Sequence, residues 1–328
     1  MTFASEIWWV NLPLFAAGVF LLVKGSDWFV EAAAALARKS GVSEFVIGLT
    51  LVSIGTSLPE LASSVCASLQ GSSGFIIGNI VGSNIANIAL ILGAALVLGG
   101  GMPFDRLCLR RDVPILFGTG VLLACWFAGS WDLPQPGQGF GRLGGWVFLA
   151  GCALYTGGLC RQRKTATENA APAVPAALSV AGAAGFIVLG LAMITAGAKI
   201  MVDTVVVSAR SWGVDPLVIS ITVVAVGTSL PELAVTISGV LKKRHDIALG
   251  NIIGSGIYNL LLIIGCCAAI TPLRMEGKSV LTGLAVMNFT TLLLWIFMVC
   301  SGRLRRWHGW VFLLLYAGFV VWSAIFCR

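Results

Sequence analysis

Charge is scarce in this chain. Asp, Glu, Lys and Arg together make up 11% of its 328 residues, whereas soluble domains carry about 25%. With 58% hydrophobic residues and a mean hydropathy of +0.95, a soluble fold of this length could not hide its apolar surface from water, so the bilayer is its natural solvent. Histidine is nearly missing, and the two present, His245 and His308, sit in basic loops. The nine cysteines include no C-x-x-C pair. Cys66, Cys125, Cys152, Cys266, Cys267 and Cys300 fall inside apolar segments, where they read as small buried side chains. These shortages argue against a zinc site and a disulfide framework. G-x-G-D and H-E-x-x-H are both absent, which argues against an intramembrane protease. No soluble domain is visible to carry a folded basic face, so the net charge of +7 gives no reason to expect nucleic acid as a partner. The N-terminus also lacks a basic n-region. Its apolar run from Trp8 continues past Lys24 without a small-residue cleavage site and reads as a retained helix.

Long apolar runs dominate what is left. They predict an all-α membrane protein of about ten transmembrane helices, at 8–36, 44–70, 74–99, 112–129, 143–160, 178–206, 215–241, 246–270, 279–300 and 307–326. The longest polar stretch, Arg161 to Pro175, divides the chain into residues 1–160, a linker at 161–177, and residues 178–328. Loops after the odd-numbered helices carry 14 Lys and Arg, and the opposite side carries five (Arg142, Arg210, Arg274, Lys278 and Arg328). This bias predicts a multi-pass protein of the cell membrane with the linker in the cytoplasm and both termini outside. Trp8, Trp9, Trp131, Trp146, Trp307 and Trp310 fall near helix ends, where indoles anchor to the membrane interface.

The two halves resemble each other. Residues 41–93 align with 213–265 at a constant offset of 172, with 25 of 53 positions identical and no gap. IGTSLPELA (Ile54–Ala62) matches VGTSLPELA (Val226–Ala234), and GNIVGSNIAN (Gly78–Asn87) matches GNIIGSGIYN (Gly250–Asn259). Each half has five predicted helices, an odd number, so the second copy is expected upside down. Inverted repeats of this kind build secondary transporters whose substrate binds near the midplane, where the repeats meet.

Within the repeat, Glu60 and Glu232 each stand in an apolar helix, where a charged side chain costs about 2.5–3.5 kcal/mol on insertion scales. Pairing with Lys24 or Lys199 is the structural alternative. Thr56 lies four residues before Glu60, and Thr228 four before Glu232, so each pair shares a helix face. Ser57 and Ser229 are one position round. Pro59 and Pro231 have no N–H, so the carbonyls of Gly55 and Gly227 are expected to lose their helical partners. In the next helix of each copy Ser83 and Asn87, and Ser255 and Asn259, are again four apart. Gly78, Gly82, Gly250 and Gly254 form small-xxx-small pairs expected to let helices approach closely. Carboxylates, hydroxyls, amides and backbone carbonyls without Cys or His make an all-oxygen site for a hard cation, and a dry cage of many oxygens suits calcium better than magnesium. Two carboxylates balance one calcium ion. An empty site of charge −2 is costly to occlude in low dielectric, which favours an exchanger over a channel.

At these residues the chain resembles the sodium/calcium exchanger branch of the cation/calcium exchanger superfamily, through G-T-S-L-P-E followed by G-N-I-(V/I)-G-S in both copies. The resemblance implies that Glu60, Glu232, Thr56 and Thr228 hold calcium. It also implies that sodium uses Ser57, Ser229, Ser83, Ser255, Asn87 and Asn259, shares both glutamates, and meets backbone carbonyls near Ser53 and Ala225. It further implies electrogenic exchange of three sodium ions for one calcium. Calcium and sodium are then transported ions, no cofactor is expected, and the bilayer is the other partner, with no obligate protein partner inferred. The linker is too short for the regulatory domains of the animal exchangers. Potassium-dependent relatives, and some prokaryotic ones, carry Asp where this chain has Asn259; with no added charge there, exchange is expected to need no potassium. Gly256, opposite Asn84 in the repeat, has no reading from sequence. The alternative is a proton/calcium exchanger, a branch that commonly has a His beside its acidic residue; this chain has none there.

Overall fold

The structure is a computed structural model that describes residues 8–129, 139–160, 179–211, 225–274 and 278–326. Its helices are α1 (Trp8–Ser40), α2 (Glu44–Thr56), α3 (Leu58–Leu69), α4 (Ser73–Gly99), α5 (Cys108–Gly129), α6 (Arg142–Cys160), α7 (Val180–Ser211), α8 (Ala225–Thr228), α9 (Leu230–Leu241), α10 (His245–Ile270), α11 (Lys278–Ser301) and α12 (Arg306–Phe326). Four two-residue strands complete it: β1 (Gly101–Met102), β2 (Gly139–Phe140), β3 (Leu273–Arg274) and β4 (Leu304–Arg305). The predicted linker, Trp131 and the first part of the predicted helix at 215–241 lie outside the described residues.

This is a multi-pass membrane protein. Among the described residues, α1, α4, α5, α7, α10 and α11 are each long and apolar enough to cross a membrane, and α2 with α3 makes a seventh such span. By itself α9 is too short. Local signals set the boundaries. Arg38 and Lys39 lie in the last turn of α1, favourable to the helix dipole, and Gly41 follows at φ +65°, a conformation that suits glycine after a helix. Ser43 then caps α2, accepting the Val46 N–H at 3.2 Å.

The chain forms two compact units that do not follow its halves: residues 1–56 with 162–251, and residues 57–161 with 252–328. In the first, α1 and α7 pack along their length. A Cβ on Gly197 would lie 2.6 Å from the Gly18 carbonyl oxygen, and one on Gly25 would lie 2.9 Å from that of Gly190, so the helices run antiparallel at contact distance. Gly18 corresponds to Gly190, and Gly25 to Gly197, at the repeat offset; each copy's first glycine therefore meets the other copy's second. Phe29, Val30, Ala33, Ile187, Ile194, Ala198, Val235 and Ile247 pack as this unit's buried core. At the end of α9, Lys242 pairs with Glu31 and Asp27, and Ser238 donates to Asp27 at 2.8 Å.

The second unit shows the same reciprocity. β1 pairs antiparallel with β4 (Gly101 opposite Arg305), and β2 with β3 (Gly139 opposite Arg274). The repeat carries β1 onto β3, while β4 lies between α11 and α12 as β2 lies between α5 and α6. Gly93 packs on Gly309, and Gly265 on Gly145, in corresponding places. The close approach expected at the repeated glycines is found at Gly250, where a Cβ would come within 2.6 Å of the Phe45 carbonyl oxygen. It is not found at Gly78 or Gly82, where a Cβ would meet nothing within 4 Å among the described residues.

Candidate functional site

The helix that carries each glutamate is broken one turn before it. Ser57 (φ −86°, ψ 4°) separates α2 from α3, and Ser229 (φ −92°, ψ 7°) separates α8 from α9. Pro59 and Pro231 sit in the first turn of the new helix, where a missing N–H costs nothing because that turn has no intrahelical acceptor. Helical bonding resumes as Leu61 N–H donates to Ser57 O and Leu233 N–H to Ser229 O, both at 3.0 Å. Glu60 and Glu232 therefore lie in the first turns of α3 and α9, where the helix dipole favours a carboxylate, and not inside the unbroken helices expected at 44–70 and 215–241. Each is 1% exposed.

The first unit holds Ser53 and Thr56 at the end of α2, Ala225 and Thr228 in α8, Ser229, and Glu232 in α9. Asn251 of α10, fully buried, links Thr56 to Glu232. Its Oδ1 accepts from the Thr56 hydroxyl at 3.0 Å, and its Nδ2 donates to Glu232 O at 3.3 Å and to Thr236 Oγ1 at 3.1 Å. The Thr56 proton has a second acceptor in Ser53 O at 3.3 Å. A hydroxyl whose proton is so engaged presents lone pairs, which is what a cation ligand must do. The Ser53 hydroxyl donates back to Leu49 O at 2.6 Å. Lys199, the suggested structural partner for a glutamate, is half exposed and faces Asp203 at 3.8 Å.

The second unit holds Ser57, Glu60, Ser83, Asn87, Ser255 and Asn259, all buried. Asn79, the repeat equivalent of Asn251, donates to Ser64 at 3.4 Å. On both walls the helix switches to the wider π-type turn at the asparagine: residues Ala86–Leu92 in α4 and Asn259–Ile264 in α10. Such turns concentrate at functional sites. Asn259 Nδ2 donates to Asn84 Oδ1 at 3.3 Å, and Asn84 Nδ2 to Gly256 O at 3.4 Å. Both amide atoms of Asn87, the Ser255 hydroxyl and Asn259 Oδ1 are buried without a hydrogen-bond partner among the described residues. Buried polar atoms left in that condition cost about 1–3 kcal/mol each; the acceptors among them suit a cation that replaces water. At Gly256 a Cβ would lie 3.0 Å from a terminal methyl of Leu116 in α5, a tight contact that this side chain would have to relieve.

Sequence reasoning missed Asn251, Asn79 and Asn84. The first two were visible as the repeated Gly-Asn pair at 78–79 and 250–251; Asn84 was hidden because its repeat partner is Gly256.

A model of the sodium/calcium exchanger protein family matches residues 10–160 and 182–325. The sodium/calcium exchanger MaX1 of Methanosarcina acetivorans is 38% identical over 95% of this chain and 98% of its own length. The inner membrane protein YrbG of Escherichia coli (strain K12) is 37% identical over 95% of each chain. Among solved structures, the sodium-calcium exchanger NCX_Mj, soaked with sodium and no calcium, superposes with a TM-score of 0.83 at 30% identity, covering 98% of this chain and 100% of that one.

Proposed function

The chain belongs to the sodium/calcium exchanger protein family, and we propose that it is a secondary antiporter that moves calcium against sodium at an all-oxygen site near the membrane midplane. Glu60 and Glu232 supply the charge. Thr56 and Thr228 join them on calcium, while Ser57, Ser229, Ser83, Ser255, Asn87, Asn259 and the backbone carbonyls near Ser53 and Ala225 serve sodium. The observation that carries this reading is the repeated helix break: the same serine, in the same backbone conformation, precedes a glutamate 1% exposed in each copy. A fully buried carboxylate in an apolar chain is expensive without a cation, and its repetition fits a substrate of charge +2.

The further reading is ten spans in two inverted five-helix repeats. The reciprocal glycine contacts and the exchanged strand pairs support it. With both carboxylates ionised the site carries −2; calcium neutralises it and three sodium ions leave +1, so transport is electrogenic. Amides at both 87 and 259 add no charge that would recruit potassium. Exchange follows from the cost of occluding an unfilled site: the two openings alternate only when cations have replaced the lost hydration.

The test is radiocalcium uptake into proteoliposomes loaded with sodium, with potassium, or with a proton gradient. Uptake only against internal sodium is the expected result. Uptake driven equally well by protons would replace this reading with a proton/calcium exchanger, and uptake indifferent to any opposing gradient would make the protein a channel.

A further inference from the structure

We propose that Asn84 is a positioning residue that sets which atom Asn259 offers to the transported cation, and that it thereby holds position 259 to a neutral amide. An asparagine side chain ends in one acceptor and one donor, and only the acceptor can ligate a cation. Something must therefore decide which end is free. In this chain Asn84 decides it. Its Nδ2 is held on the Gly256 carbonyl at 3.4 Å and stands 3.6 Å from Met287 Sδ, so its Oδ1 is left to receive Asn259 Nδ2 at 3.3 Å. Asn259 is 1% exposed and its Oδ1 has no hydrogen-bond partner among the described residues. A three-membered chain of carbonyl, amide and amide thus ends in a single oriented acceptor.

The same chain discriminates between residues at 259. An aspartate would place a carboxylate oxygen where Nδ2 now donates, facing Asn84 Oδ1. Turning the Asn84 amide over would relieve that contact only by bringing Oδ1 against the Gly256 carbonyl. One oxygen–oxygen contact persists either way, in a buried setting where unpaired acceptors are costly. Gly256 supplies the anchoring carbonyl, and a Cβ there would crowd the Leu116 methyls at 3.0 and 3.2 Å.

This inference rests on the exchange reading of the same site, and the two are separable. Wild-type uptake against internal sodium tests the reading; a comparison of backgrounds tests the inference. Calcium dependence of uptake is measured for wild type, Asn84→Ala, Asn259→Asp and the double variant. With Asn259 present, Asn84→Ala frees the amide to present its NH₂, and the half-saturating calcium concentration rises about three- to tenfold, the worth of one hydrogen bond, with a smaller change in maximal rate. In the Asn259→Asp background both terminal atoms are oxygens, orientation is immaterial, and Asn84→Ala removes the repulsive contact, so half-saturation falls. An equal rise in both backgrounds would reduce Asn84 to a packing residue and overturn the proposal. Asn84→Leu guards against simple misfolding, since it keeps the volume and removes the acceptor. It is expected to weaken calcium as Asn84→Ala does; wild-type affinity in that variant would also refute the assignment.

Discussion

Asn251→Ala separates stability from ion handling at a single residue. The substitution removes three buried hydrogen bonds, to Thr56, to the Glu232 carbonyl and to Thr236. Hydrogen bonds between membrane helices average about 0.6 kcal/mol and reach about 1.7, so the loss should be about 2 kcal/mol and at most about 5. That is within the 5–15 kcal/mol typical of folded proteins, and the variant should fold. Its calcium affinity should also fall, because the Thr56 hydroxyl loses the acceptor that holds its proton; the change expected for one such bond is about three- to tenfold. Thr236→Val is the control, since it removes one of the three bonds and leaves Thr56 untouched. It should cost about 0.6 kcal/mol with no change in affinity. Reversible unfolding in mixed detergent measures the first quantity, and the calcium dependence of radiocalcium uptake the second. If Asn251→Ala unfolds like wild type and keeps wild-type affinity, the placement of Asn251 at the centre of this half-site is wrong. If Thr236→Val weakens calcium as much as Asn251→Ala does, the orientation of Thr56 is not the cause.

Other outcomes follow from the same structure. Glu60→Gln or Glu232→Gln should abolish calcium uptake while leaving a monodisperse protein, since removing a buried charge without its cation need not destabilise the fold; wild-type flux in either variant would sink the site. Gly197→Leu should prevent folding, because even a Cβ there would lie 2.6 Å from the Gly18 carbonyl oxygen; normal yield and elution would show that α1 and α7 do not cross there. Uptake should proceed without potassium and respond to a potassium–valinomycin diffusion potential, at about 2.3 kcal/mol per charge per 100 mV. A rate that collapses without potassium, or ignores the potential, would contradict the charge count. Glu168→Cys on a Cys-free background should resist an impermeant external reagent in intact cells, and labelling from outside would reverse the predicted orientation.

The sequence revealed the elements that obey local rules. Pro59 and Pro231 announced freed backbone carbonyls because proline's missing N–H acts on its own neighbours, but the helices expected without interruption at 44–70 and 215–241 are broken at Ser57 and Ser229. The fully buried glutamates were legible for a similar reason, as charges inside apolar runs. What stayed hidden depends on partners distant in the chain. Asn251 reaches Thr56 across 195 positions, and nothing near either residue advertises the other. Glycine spacing misled for the same reason: Gly78 and Gly250 share one motif, yet only Gly250 has another helix backbone against it. The pairing of Gly18 with Gly197 and of Gly25 with Gly190 lay outside the aligned repeat altogether, where the match between copies had faded and only the backbone approach was kept.

The division of the chain into interleaved units bears on how it is made. Each unit draws helices from both sides of residue 161. A ribosome that has delivered α1 to α6 to the membrane has completed neither core: α1 still lacks α7, and β1 waits for β4, the strand before the last helix. At about 5–20 residues per second, the early helices must remain in the lipid for many seconds with glycine faces uncovered and buried carboxylates unsheltered. The membrane can host them because isolated apolar helices are stable in it, but the first unit can pack only once residues up to 251 have been made, and the second only once α11 and α12 have followed. Quality control would then meet the second unit open for longer than the first.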